Sequence, residues 1–459
     1  QTESWISKEI MSAKAEALQA FMMALSESNF FASAPVCLGH LKRLQASSQP
    51  VDLIINAFTL TGVALMCGEA CGVPVAGFCL QPSAIPSKDK HWAAVVAIDG
   101  GGLPLIEKAE AALFTSHSSL RPCRACFEGL PWSGLSLPKL RRQHNLPPSI
   151  TWRAAFKWRL PIVIPMRSDS FERPSDWPDS FTTTDFIFLR SAAAVGGSKN
   201  GLELPIARFI DEARTAGRKL MVMTFSSMPV ARATALDAAV KMLKGSKHDF
   251  ALLYVGANQK AAVPTSIMGA AEELVAAGKL LEAERADFGV LFQHMDAFVV
   301  HGGLGTTVEA LRMRKPVCVT GILLLDQRFW GQVCYDKGVG PMPVHIDAFK
   351  GVAVEWADKA LDPNSEYVQA AAALEFGDEA EDGVSANVRA FARLVSRKLP
   401  PPPSHVASKA PPRRSAVETT FNTVPSIIGR RVAPESSMAA MDGARVLEPT
   451  GRRSRVDAV

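Results

Sequence analysis

The sequence predicts an α/β protein in which two doubly wound, parallel-sheet domains are followed by a disordered tail. Short apolar runs of strand length alternate with helical segments, as in sheets that are covered by helices. Several helical segments stop at a glycine just before the next strand. After Leu399 the chain becomes rich in Pro, Ser, Arg and Ala, which is typical of disorder. The predicted segments are a first domain at 1–183, an interdomain strand and linker at 184–204, a second domain at 205–398 and the tail at 399–459.

The composition is that of a globular protein with a basic tail. The chain has 459 residues, of which 47% are apolar and 21% are charged, and this length suits two or three domains of roughly 100–200 residues each. Nine Lys and Arg against five Asp and Glu in 400–459 account for most of the net charge of +5. The nearly neutral remainder predicts that nucleic acid is not a partner. The tail is either solvated or attracted to anionic lipid or a partner, by about 1 kcal/mol per basic residue near the surface.

The cysteines indicate a reducing compartment. Eight of them occur at irregular spacing in a chain too long to need disulfides, so we expect reduced thiols and a cytoplasmic protein. Cys123 and Cys126 form the one tight pair, and without a second pair or a suitable histidine spacing they predict no metal site. No apolar run approaches the roughly 20 residues of a membrane span.

The first domain contains one clear βαβ unit. DLIINAFTL (52–60) is a predicted strand, TGVALMCGEAC (61–71) a helix that ends at Gly72, and VPVAGFCL (73–80) the next strand. A βαβ connection implies parallel pairing of its two strands. Helices are also predicted over 8–25 and around 104–114, and FIFLRSAAAV (186–195) is predicted as the strand that leaves the domain.

The second domain repeats the alternation of helices and strands. Helices are predicted over 204–217, 231–245, 306–314 and 384–399. Strands are predicted over 219–228, 250–256, 288–292, 297–300 and 316–321. The strands are short and apolar on both faces, so this half is predicted to be a doubly wound sheet.

A glycine-rich turn, HGGLG at 301–305, joins a strand to a helix in the second domain. The N–H groups at a helix N-terminus are unpaired and carry partial positive charge, and glycines let an anion come close to them. The turn therefore predicts a phosphate site, in which Thr306 and Thr307 add hydroxyls and His301 adds a neutral or charged donor. A structural turn that needs positive φ explains the glycines equally simply.

Two further polar strand ends favour the phosphate site. TFSSMPV supplies Ser226 and Ser227, and GILLLDQRFWG supplies Asp326 and Gln327 on a predicted loop. In open α/β sheets, ligands bind outside the carboxyl ends of the strands. Glu309, one turn into the following helix, can accept from the vicinal hydroxyls of a ribose. Together these residues predict a nucleotide site centred on phosphate.

The same residues carry a resemblance to a known family. HGGLGTTVEALRMRKPVCVTGILLLDQRFWGQVCYDKGVGPMP (301–343) resembles the donor-binding signature of GT-B glycosyltransferases. It is most similar to the sterol 3-beta-glucosyltransferase group and its bacterial antibiotic relatives, which share HGG-x-GTT, DQ-x-FWG and GVGP in that order. ERPSDWPDS (172–180) and VMTFSSM (222–228) also resemble landmarks of this family, although its strand end reads FGSM where this chain has FSSM. The resemblance covers roughly 170–350 well and 52–82 weakly.

The resemblance implies the GT-B fold, with two Rossmann-like domains facing across a cleft. The acceptor-side domain at 1–183 would be incomplete, because the opening strand and Gly-rich loop of the family have no counterpart here. The implied reaction is transfer of a hexose, with glucose expected, from a UDP-sugar to a hydroxyl of a sterol or other lipid. The UDP-sugar would be a co-substrate, with no further cofactor, and the enzyme would lie in the cytoplasm or at the periphery of membranes.

The resemblance also implies residue roles. The donor diphosphate would be bound by the following residues: Ser226, Ser227, His301, Gly302, Gly303, Gly305, Thr306 and Thr307. Glu309 would face the ribose, and Asp326 and Gln327 would bind sugar hydroxyls. The family usually places the base that activates the acceptor in its N-terminal domain, where Asp89 and His91 are the available candidates. Two alternatives stay open: a relative that binds a sugar nucleotide without turnover, and a transferase that acts on a soluble small molecule.

Overall fold

The computed structural model describes most of both predicted domains. The described residues are 33–57, 60–82, 155–168, 172–188, 201–226, 230–256, 261–323, 325–375 and 383–396, with the separate residues 30, 85, 87, 141, 143–146, 228 and 399. All of them belong to one compact unit, residues 1–407. The helices predicted at 8–25 and 104–114, the Cys123–Cys126 pair, the linker at 196–200 and the tail from 400 onward lie outside the described residues. No described helix has both the length and the hydropathy that crossing a membrane requires.

The first half forms a four-stranded parallel sheet in the order β1-β2-β3-β4. Its elements are α1 (Ala34–Gln45), β1 (Ile54–Ala57), α2 (Thr61–Cys71), β2 (Val75–Phe78), β3 (Ile162–Ile164) and β4 (Phe181–Thr183). Strands β1 and β2 pair in parallel, which confirms the predicted βαβ unit. Helix α2 ends at Gly72, whose left-handed φ of 66° lets its N–H donate to the Gly68 carbonyl.

The strand predicted at 186–195 is wrong in its described part. Phe186–Phe188 lies outside any strand, and the sheet ends instead with β4, in the turn-rich segment just before it. Arg173 fixes that segment by donating to the carbonyls of Trp177, Pro178 and Phe181. Phe186 is buried by side-chain packing rather than by strand pairing, since the centre of its ring lies 6.1 Å from that of Trp330.

The second half forms a six-stranded parallel sheet in the order β10-β9-β8-β5-β6-β7. Its strands are β5 (Lys219–Thr224), β6 (Phe250–Val255), β7 (Leu280–Ala283), β8 (Ala297–Val300), β9 (Val317–Gly321) and β10 (Val344–His345). Its helices are α3 (Leu204–Thr215), α4 (Arg232–Gly245), α5 (Thr265–Ala276), α6 (Phe288–Leu291), α7 (Leu304–Arg312), α8 (Leu325–Asp336), α9 (Ile346–Phe349), α10 (Ala353–Leu361), α11 (Glu366–Ala372) and α12 (Gly383–Ser396). The doubly wound α/β architecture predicted for this half is confirmed.

A strand predicted in this half is wrong, and two elements of it were not predicted. FGVLF (288–292) is helical rather than a strand, because the Asp287 side chain accepts from the Gly289 N–H and so caps a short helix. Phe288 then stacks on Phe292 one turn later. Helix α5 and strand β7 were not predicted, although Pro264 before α5 and Gly278 after it, with φ 64°, are ordinary boundary signals.

Helix α12 packs against the first sheet, although the sequence places it at the end of the second domain. Asn387 donates to the Asp185 carbonyl at 2.9 Å and accepts from the Thr184 hydroxyl at 2.7 Å. The ring of Phe391 meets that of Phe78 edge-on, with centroids 5.7 Å apart. The last described helix therefore returns to the first half of the chain.

Candidate functional site

The candidate site lies where the second sheet changes winding direction. From β5 the chain adds β6 and β7 on one side, and then β8, β9 and β10 on the other. This switch point, at the carboxyl ends of β5 and β8, is where open α/β sheets bind ligands. Thr224 of β5 pairs with Val300 of β8, which pairs with Val319 of β9. The three polar strand ends singled out from the sequence therefore follow three adjacent strands, as predicted.

His301 is the first residue after β8 and lies inside the turn. The residue is 7% exposed, and its ring lies against Gly303, where an added Cβ would overlap the imidazole. Burial lowers the pKa of the imidazole to about 4. The ring is therefore neutral at neutral pH, so it can donate one hydrogen bond but brings no charge. Among the described residues, nothing bonds to its buried Nδ1.

The glycines of the turn differ in how much space a side chain would have beside them. Gly302 has φ 84°, and an added Cβ would lie 2.7 Å from the Gln327 carbonyl oxygen and 2.7 Å from Val319 Cγ1. Both the turn and the close approach to α8 therefore require glycine there. Gly305 is exposed in the first turn of α7, and an added Cβ would meet nothing within 4 Å. The space beside this helix N-terminus is open.

The first turn of α7 offers donors that no described side chain uses. The helix begins at Leu304 after the N-cap Gly303, and no described side chain caps it. Thr306 is half-buried, whereas Thr307 is 0% exposed. The Thr307 hydroxyl has no hydrogen-bond partner in the described part of the chain. A buried hydroxyl without a partner costs free energy, about 1–3 kcal/mol, unless a ligand or water satisfies it.

Glu309 is buried and ion-paired within α7. It is 1% exposed, and its carboxylate accepts from Arg312 Nη2 at 3.0 Å. The Arg312 guanidinium in turn lies 4.7 Å from the centre of the Phe188 ring. The structure thus shows Glu309 in a buried ion pair, and its contact with a ribose stays a prediction.

Asp326 and Gln327 lie in the first turn of α8, not on a loop as predicted. The backbone N–H groups of Asp326 and Gln327 favour the charged form of the Asp326 carboxyl. Phe329 and Trp330, which follow in the same helix, are buried. Burial raises the pKa of the Asp326 carboxyl to about 6, against the opposing effect of those N–H groups. The Gln327 backbone touches the Gly302 turn, so the two signature segments are in contact.

Ser226 is exposed at the end of β5 and adopts a left-handed φ of 51°. Its N–H donates to the Thr224 hydroxyl at 3.3 Å. Left-handed backbone favours glycine, which agrees with the glycine that the resembled family has there. Ser227 and the candidate bases Asp89 and His91 lie outside the described residues.

Residues not anticipated from the sequence also shape the site. Gly321, with φ 146°, closes the end of β9 against His301 and Phe225. Leu323 has a left-handed φ of 56°, and its carbonyl accepts from Arg328 Nε at 2.8 Å. A glycine as the last residue of a predicted strand could have indicated the first, but no sequence signal marks the second. The described residues contain no group of three or more His, Cys, Asp or Glu placed to hold a metal ion.

Curated relatives of part of the chain are sterol 3-beta-glucosyltransferases. That of Aspergillus fumigatus is 31% identical over 169 residues, which is 36% of this chain and 11% of the relative. That of Komagataella phaffii is 25% identical over 265 residues, which is 57% of this chain and 21% of the relative. The chain thus spans about a fifth or less of the length of these relatives. No family model matches it.

Solved structures share the fold of the chain. Os79 from O. sativa matches with a TM-score of 0.51 and 14% identity, over 81% of this chain and 84% of Os79. The GT-B fold and the sequence resemblance are both confirmed. The chain is a GT-B-fold protein related in sequence to the sterol 3-beta-glucosyltransferases.

Proposed function

We propose that the chain binds a UDP-sugar at the switch point of its second sheet and transfers the hexose, with glucose expected, to a hydroxyl of a sterol or another lipid. One observation carries the proposal. Two buried polar atoms without a described partner, His301 Nδ1 and Thr307 Oγ1, flank the uncapped N-terminus of α7. The names of the relatives support the class of sugar and acceptor.

The proposed site stabilises the leaving group. In the reaction, the bond from the anomeric carbon to the diphosphate oxygen breaks and its electron pair stays on the diphosphate. The backbone N–H groups and dipole of α7 stabilise that charge, with the Thr307 hydroxyl and the neutral His301 ring as added donors. Such preorganised donors contribute most when water is excluded, which fits the burial of both side chains.

The acceptor half of the reaction needs a base. The acceptor oxygen forms the new bond to the anomeric carbon and its proton passes to that base, for which Asp89 and His91 are the candidates. Asp326 and Gln327 are proposed to accept from and donate to hydroxyls of the sugar, next to the diphosphate. As a carboxylate, Asp326 accepts two such bonds, which a protonated carboxyl does less well.

The proposal is tested by titrating the full chain with UDP-glucose in a calorimeter. His301→Ala removes a buried donor, so affinity should fall about tenfold. His345→Asn is the matched control, because Asn can still accept from the Asp347 N–H as His345 does, and its affinity should match the parent chain. Equal affinity of His301→Ala and the parent chain would exclude the assignment.

Release of UDP in the presence of acceptor separates the alternatives. Sterol-dependent release supports the proposed transfer. Binding of UDP-glucose without such release would identify a relative that binds donor without turnover. Equal release with a soluble phenol and with a sterol would favour a soluble acceptor.

A further inference from the structure

The connector at 321–323, which leads from β9 towards α8, has an unusual backbone conformation. Leu323 has a left-handed φ of 56°, a region that disfavours most side chains and is common only for Gly, Asn and Asp. Gly321, two residues earlier, also has a positive φ, of 146°. A leucine in left-handed backbone costs free energy and persists only where the surrounding structure enforces it. Contacts around the connector must therefore hold Leu323 in place.

One such contact is a hydrogen bond from α8. Arg328 Nε donates to the Leu323 carbonyl at 2.8 Å. Ile322 and Leu323 are both buried, and a buried carbonyl without a donor is costly. The bond therefore fixes the peptide group that follows the left-handed residue and ties it to the first turns of α8.

The connector lies between the two signature segments of the candidate site. Gly321 packs against His301, since an added Cβ would lie 3.7 Å from the His301 Cβ. Asp326 and Gln327 follow the connector in the first turn of α8. The Gln327 backbone in turn packs against Gly302. A change in the connector would therefore move both side chains of α8 relative to the glycine turn.

We propose that Arg328 is a positioning residue of the donor site. By holding Leu323 in its left-handed conformation, it places Asp326 and Gln327 for the hydroxyls of the transferred sugar. The inference rests on the proposed function, because it assigns Arg328 to the sugar end of that same site. Side chains that are already in place lose less conformational entropy when a ligand binds. Loss of the bond should weaken the sugar contacts and leave the diphosphate contacts at α7 unchanged.

The test compares two variants whose side chains match in length. In Arg328→Gln, Nε2 takes the place of the arginine Nε, so a donor remains and the charge is lost, whereas Arg328→Met leaves no donor. Titration of the full chain with UDP and with UDP-glucose gives the ratio of the two dissociation constants. Arg328→Met should lower the preference for UDP-glucose about tenfold at unchanged UDP affinity. Arg328→Gln should keep most of the preference, and a purely structural role would leave the ratio unchanged in both variants.

Arg214→Met is the matched control. The Arg214 guanidinium also donates to a backbone carbonyl, that of His294, at 2.7 Å, but before the amino end of β8 and so away from the site. This variant should lower the thermal unfolding midpoint without changing the ratio. Equal ratios for Arg328→Met and the parent chain would overturn the proposal. Equal losses in Arg328→Met and Arg328→Gln would also overturn it, since the charge rather than the hydrogen bond would then be responsible.

Amide hydrogen exchange without any donor separates this inference from the proposed function. Peptides that cover 321–328 should exchange faster in Arg328→Met than in the parent chain or in Arg328→Gln. Unchanged exchange in Arg328→Met would show that Arg328 does not hold the connector. A parent chain that binds neither UDP nor UDP-glucose would refute the proposed function and with it the role of Arg328 in sugar binding. The exchange rates would still decide whether Arg328 holds Leu323.

Discussion

The β8–α7 and β9–α8 junctions meet at the same sheet edge but leave their helix N-termini in different states. At the first, no described side chain caps α7, and open space lies beside Gly305. At the second, the Asp326 carboxyl lies in the first turn of α8, where the N–H groups of Asp326 and Gln327 favour its charged form. An anion is favoured at a helix N-terminus unless a carboxylate is there already. The uncapped α7 therefore favours an added anion, whereas α8 already has a carboxyl in its first turn.

The largest expected effect comes from breaking the contact between the two junctions. Gly302→Ala places a Cβ 2.7 Å from the Gln327 carbonyl in a residue with φ 84°, so we expect a loss of roughly 2–4 kcal/mol in the free energy of unfolding. Urea denaturation measures it. Gly305→Ala is the control, since its methyl meets nothing within 4 Å. It should keep stability and weaken UDP binding by filling the open space. Equal stability of the two variants would contradict the packing described here.

A smaller effect is expected from removing single threonine hydroxyls. It should distinguish a hydroxyl that binds the donor from one that stabilises the fold. Thr307→Val keeps the shape but removes the hydroxyl without a described partner. UDP affinity should fall about tenfold while stability stays equal or rises. Thr320→Val is the matched control, because its buried hydroxyl donates to the Val344 carbonyl at 2.7 Å. That variant should lose about 1 kcal/mol of stability and keep UDP affinity. The reverse pattern would show that Thr307 is structural.

The smallest expected effect is on the pH dependence of donor preference and stability. It depends on the Asp326 carboxyl in the first turn of α8. Because the pKa of folded Asp326 is raised to about 6 from 3.8, its contribution to stability is present below pH 4 and is lost as the pH rises through 6. Asp326→Asn should remove that pH-dependent part of the free energy of unfolding. The preference for UDP-glucose over UDP should rise between pH 5 and 7 in the parent chain and be flat in the variant. Identical pH profiles of the two chains would contradict the assigned pKa.

The sequence predicted the site elements better than the edges of the fold. Strand β8, the glycine turn and α7 were predicted because a four-residue apolar run, a cluster of glycines and helical spacing are local signals. The strand predicted at 186–195 was wrong in its described part, where Phe186 is buried without pairing. The strand predicted at 288–292 was wrong because Asp287 caps a helix there. Strands β3 and β4 have three residues each, too few to show a period, and partners distant in the chain stabilise them.

The sequence by itself determined that polar side chains and glycines follow the strands of a parallel sheet, because strand and turn preferences act between near neighbours. Only the tertiary structure decided their chemical state. His301 is neutral because the folded chain removes water from it, and Glu309 pairs with Arg312, whose guanidinium rests on Phe188 from the first half. The spacing of Glu309 and Arg312 on one helix is local, but the desolvation of His301 and the contact of Arg312 with Phe188 depend on groups that are far apart along the chain, so no local pattern could have indicated them.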